Sequence, residues 1–145
     1  MLKEKVINVQ DNGKALSFKV RQMPAVARSR WVTKAGLLLC GAGADIDLQN
    51  ALQDFYRFLL ENGTGVIGNI EYEKLEPLLN ELLGCCWRVF DRSEEKVTPE
   101  TCEAYIEDFK TIFALYKEAF AINFLSEETL SKFRASQSTD ADKGK

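Results

Sequence analysis

Few side chains in this 145-residue chain are suited to chemistry. It has no histidine, the commonest general base near neutral pH. Its thiols are Cys40, Cys85, Cys86 and Cys102, and no two of them stand in a Cys-x-x-Cys spacing. Irregularly placed thiols without histidine do not make a zinc set, so no metal site is expected. They read as buried free thiols of a reducing compartment. The adjacent pair Cys85-Cys86 reads as core packing, because a bond between neighbours is strained.

The remaining chemical patterns are also weak. Gly41-Ala42-Gly43 lacks the third glycine and the preceding strand of a dinucleotide loop, and Gly63-Thr64-Gly65 precedes no Gly-Lys-Ser/Thr. Both read as helix ends, and no cofactor is expected. Asp45 and Asp47 begin no calcium-ligand series. The acid pairs Glu71 with Glu73 and Glu103 with Glu107 lie opposite apolar stripes and read as solvated helix faces. No Gly-x-Ser-x-Gly occurs, and a serine nucleophile would lack its histidine. No catalytic residue is assigned, and the chain is not expected to be an enzyme.

The elements that would position these residues follow from periodicity. Residues 4–22 alternate as two strands around Asp11-Asn12-Gly13-Lys14, and Asn-Gly is a strong hairpin signal. Leu16, Phe18 and Val20 share one face, which must be covered, since a lone hairpin is marginal. Pro24 suits a first helical turn, and Ala27, Trp31, Ala35 and Leu38 then recur at helical spacing to about Leu39, where Gly41-Ala42-Gly43-Ala44 stops the helix. Asp47 suits the N-cap of a second helix, with Asn50 at the capping-box position and an apolar stripe from Leu48 to Leu60. Val66-Ile67-Gly68 reads as a loop on the core. A third helical pattern covers 70–83, its regular part expected after Pro77. Residues 85–90 fit either a continuation or a short extended piece, and Asp91 to Lys96 reads as a charged loop. Thr98-Pro99-Glu100 starts the longest helix, whose stripe from Cys102 to Phe124 spans about seven turns. A short last helix through Phe133 precedes the polar residues 135–145, which read as a disordered tail.

The expected fold is therefore α+β, mostly α. An N-terminal β-hairpin (4–22) packs on a bundle of about four helices (24–134), all in one domain (1–134).

Charge and hydropathy narrow the partners. The net charge of −3 divides unevenly: residues 1–40 hold eight Lys/Arg against two acids, and the rest 11 against 20. A basic first third and an acidic remainder can attract each other, within a subunit or between subunits. Arg21, Arg28, Arg30 and Lys34 surround Trp31, but the chain is acidic overall and Trp31 lies on the apolar stripe, so nucleic acid is not an expected partner. No apolar run reaches the ~18 residues of a membrane span, and with no apolar segment behind Met1 a signal peptide is not expected. The aromatic end of the last helix, from Phe113 to Leu125, is wider than one buried stripe needs. These rings fit either core packing, the usual use of aromatics at helical spacing, or a patch for an amphipathic partner helix.

Two segments carry a resemblance. One is 16–40: a strand, Arg21-Gln22-Met23-Pro24, a basic helix with Trp31, then Leu37-Leu38-Leu39. The other is 105–125, ending Glu118-Ala119-Phe120-Ala121-Ile122-Asn123-Phe124. In order and layout they resemble the tail assembly chaperones of long-tailed bacteriophages, although Leu125-Ser126-Glu127 stands where further aromatics are usual. The resemblance implies a non-enzymatic protein of the host cytoplasm. It would bind the helical tape-measure protein, keep it soluble during tail assembly and be missing from the mature virion. Partner contact is expected at Tyr116, Phe120, Phe124 and Leu125, with Arg28 and Arg30 as charged contacts. The alternative is a small tail or connector subunit that self-associates permanently.

Overall fold

The computed structural model describes residues 1–40, 48–64 and 70–126, with backbone alone at Cys40 and Leu48. The expectations for 41–47, 66–68, 127–133 and the 135–145 tail lie outside the described residues.

The N-terminal hairpin forms as read. Strand β1 (Glu4–Asp11) pairs antiparallel with β2 (Lys14–Arg21), with Ile7 opposite Phe18 and Val9 opposite Leu16. Asn12 and Gly13 both have positive φ (50° and 88°), the conformation that matches a two-residue turn to strand twist. Leu16, Phe18 and Val20 are buried on one face of β2.

The sheet is larger than a hairpin. Cys86–Val89 forms β3 beside β2, and Glu94–Lys96 forms β4, giving the antiparallel order β1-β2-β3-β4. Cys85 turns out of α3 and the segment from Cys86 is extended, while the charged loop at 91–96 is corrected to a turn followed by an edge strand. Its charges have a use there. Glu94 pairs with Lys19 at 2.7 Å and with Arg21 at 2.6 Å, and Arg21 lies 4.5 Å over the Trp87 ring. Charged residues also keep an edge strand from recruiting further strands.

Five helices are present among the described residues: α1 (Ala25–Cys40), α2 (Leu48–Leu60), α3 (Tyr72–Leu83), α4 (Pro99–Tyr105) and α5 (Phe109–Phe124). Helix α3 does not wait for Pro77. It begins five residues earlier and runs through the proline, which is exposed, while Leu75, Leu78, Leu79, Leu82 and Leu83 hold the buried side. The carbonyl that proline leaves unpaired can therefore meet water.

The expected seven-turn helix is broken into α4 and α5. Thr98 caps α4 through a reciprocal box with Thr101, and Asp108 caps α5 by accepting the Lys110 N–H at 2.9 Å. The cause of the break is Asp11, fully buried at the end of β1. Its carboxylate accepts the N–H groups of Glu107 and Asp108 and the hydroxyl of Thr111, at 2.9, 2.8 and 2.8 Å. Those three bonds satisfy both a buried charge and the free donors of a helix start.

Helix α5 is the central packing element, touching β1 and β2 as well as α2 and α3, while α1 rests on α2 and α3. Trp31 is fully buried where α1 meets this body. Its ring stacks on Phe124 at 4.8 Å and meets Phe55 edge-on at 5.2 Å, and its indole N–H donates to the Leu78 carbonyl at 3.0 Å. Phe120 stacks on Phe55 and Tyr56 beside it. After α2 the chain turns at Gly63 with φ +77°, and a Cβ there would lie 2.7 Å from the Phe113 ring. Glycine is required twice over at that position.

Candidate functional site

The six residues expected at a partner contact do not share one surface. Phe120 has no exposed surface and belongs to the aromatic core around Trp31, so its assignment as a contact residue is corrected. The reason is geometric: the buried stripe of α5 faces both α2 and the sheet, and it uses rings that would otherwise be surplus. Phe124 is half-buried against Trp31, and Leu125 is half-buried at the C-cap of α5. Arg30 is exposed on α1; Arg28 is half-buried there, with an enclosed Nε that has no hydrogen-bond partner.

Tyr116 is different. It lines an open cavity of about 320 Å³ between α3 and the α4–α5 pair. Tyr72, Glu76, Asn80 and Leu83 come from α3, Pro99, Cys102 and Glu103 from α4, Ile106 from the break, and Ile112 and Tyr116 from α5. Local structure explains the assembly. Positions 72, 76, 80 and 83 recur every three or four residues and so share one side of α3. Ile106 leaves helical conformation as the C-cap of α4, which places it beside Ile112 at the groove.

Only carboxylates, those of Glu76 and Glu103, bring charge to this lining. The other ionisable groups are neutral at neutral pH. Burial, with smaller contributions from nearby Tyr72, Cys102 and Glu76, pushes the Tyr116 phenol up to about 12. Burial and then Glu76 raise that of Tyr72. Burial pushes the Cys102 thiol up to about 11, which leaves it protonated and a poor nucleophile. The groove has apolar walls, hydroxyls and a negative rim, and it offers no activated nucleophile.

No protein-family model matches the chain, and neither does any curated protein or solved structure.

Among the described residues no group of three or more His, Cys, Asp or Glu is placed to hold a metal ion, and no helix is long and apolar enough to cross a membrane. Cys85, Cys86 and Cys102 are free and buried, as the spacing suggested. Much of the basic first third is matched within the chain: Lys5 with Glu118, Lys14 with Glu107, Lys19 and Arg21 with Glu94, and Lys34 with Glu81. This removes Arg21 and Lys34 from any free basic patch around α1. Glu103 and Glu107, read together as one solvated face, are separated by the end of α4; Glu103 lines the groove and Glu107 bonds Asn12 and Lys14.

Three polar groups escaped the sequence reading: Asp11, Thr111 and Asn123, all buried. Asp11 looked like a turn residue before Asn12-Gly13. Thr111 and Asn123 each interrupt an otherwise apolar stripe, and that interruption was the available signal. Asn123 donates to the Ala119 carbonyl at 2.7 Å, and Gln22 donates to the Ile122 carbonyl at 3.2 Å.

Proposed function

We propose that this chain is a non-enzymatic assembly chaperone of a long-tailed phage or prophage. It works in the host cytoplasm, holds an amphipathic helical stretch of the tape-measure protein in solution while the tail tube forms, and is left out of the finished particle. The observation that carries this reading is the open groove between α3 and α4–α5, with Ile106, Ile112 and Tyr116 available to an apolar stripe. A second observation supports it. The two segments behind the resemblance, 16–40 and 105–125, pack directly on each other through Trp31, Phe120 and Phe124, so they form one structural unit.

The test is co-expression with the tape-measure protein encoded nearest to this chain. A tape measure that is insoluble alone and soluble in a complex containing this chain is the expected result. Absence of both rescue and complex, with both proteins well expressed, overturns the proposal. So does recovery of the chain from purified virions, which a permanent tail or connector subunit would give.

A further inference from the structure

We infer that the groove between α3 and the α4–α5 pair selects partner helices that carry a basic side chain at the edge of their apolar stripe. The basic group would settle between the carboxylates of Glu76 and Glu103. The choice of a helical occupant rests on the chaperone reading; the charge preference rests on the groove itself.

Three features of the lining lead there. Its charged side chains are both acidic, and neither Glu76 nor Glu103 has an ion-pair partner among the described residues. By contrast Glu81, also on α3, is matched by Lys34 at 2.8 Å. The phenols of Tyr72 and Tyr116 add aromatic surface next to those carboxylates, a setting that attracts an ammonium or guanidinium group. The volume, about 320 Å³, is at the lower end of ligand-binding cavities and suits anchoring side chains from a helix lying across the opening. An acidic helix would instead bring like charges together, which gives the groove a means of rejection as well as attraction.

The probe is a pair of synthetic amphipathic peptides of about 18 residues, long enough for some helix in isolation. They share one leucine stripe and carry either lysines or glutamates along its edge. Fluorescence anisotropy with the full chain should show the lysine peptide binding about tenfold more tightly at low salt, a preference that weakens as salt rises. The double variant E76Q/E103Q should remove most of that preference with an unchanged circular dichroism spectrum and melt, because both side chains are exposed. Equal affinity for the two peptides, no binding of either, or a preference that survives E76Q/E103Q overturns the inference. Such a result alongside tape-measure rescue would leave the chaperone proposal standing. A lysine preference without rescue would overturn the chaperone proposal alone.

Discussion

The side-chain oxygen of Asn123 accepts the backbone N–H of Met23 at 2.7 Å, tying the last turn of α5 to the junction between the sheet and α1. The same amide donates to Ala119 and reaches the Cys85 thiol at 3.6 Å, so one buried side chain joins three parts of the chain. Asn123→Ala leaves the Met23 N–H without its partner. The expected cost is about 1–3 kcal/mol, read as a lower urea midpoint with an unchanged slope. A midpoint equal to that of the parent would show that the junction closes without this amide.

Asp11 makes stability depend on acid. Burial alone would raise its pKa, but the Glu107 and Asp108 N–H groups, the Thr111 hydroxyl and Lys14 outweigh it, and the net shift is downward from 3.8. A carboxyl with a lowered folded pKa contributes stability that is fully present above its unfolded value. That contribution is lost as pH falls through the folded value. The urea midpoint should therefore hold down to roughly the unfolded carboxyl range and then drop. Asp11→Asn should lower the midpoint at neutral pH and flatten the acid limb, because an amide cannot supply the same acceptors. An acid limb identical in the two proteins would locate the acid sensitivity elsewhere.

Phe120 and the groove should separate in experiment. Phe120→Ala removes a fully buried ring stacked on Phe55 and Tyr56, at an expected cost of about 3–5 kcal/mol. Measured well below its melting temperature, the variant should bind the lysine-edged amphipathic peptide as the parent does. A variant with unchanged melting but lost binding would return Phe120 to the contact surface.

The three described thiols should be protected. Cys85 and Cys102 are pushed up to about 11 by burial, and Cys86 is also raised by burial. Alkylation followed by mass spectrometry should label them slowly in the native protein and rapidly in urea. Rapid native labelling of Cys102 would mean that the groove opens far enough to expose its floor.

Local signals were readable wherever the cause of the structure is local. Asn12-Gly13 marks the hairpin, Thr98-Pro99 the start of α4, and the stripes of α1 and α2 their helices. The break between α4 and α5 was hidden because Tyr105, Ile106, Phe109 and Ile112 keep helical spacing straight through it. The residue that imposes the break, Asp11, lies 97 positions from Asp108. Strand β4 was hidden for a related reason: Glu94-Glu95-Lys96 has no strand-forming character of its own and depends on Lys19, Arg21 and Trp87. At the groove, Tyr116 was legible as a surplus aromatic. Glu76 and Glu103 were not, since their pairing of helices exists only in the folded chain.

The link between Met23 and Asn123 also orders events in time. It spans 100 residues, and Asp11 waits for Thr111 over the same separation. At ribosomal rates of about 5–20 residues per second, the hairpin emerges roughly 5–20 s before the helix that covers it. During that interval Leu16, Phe18 and Val20 have no permanent cover. A nascent chain stalled before Phe109 lacks Leu115, Ala119 and Phe120 of the core, and it should be captured by general chaperones or proteases. Emergence of α5 is thus the step that lets the sheet, α2 and α3 close on a shared packing element.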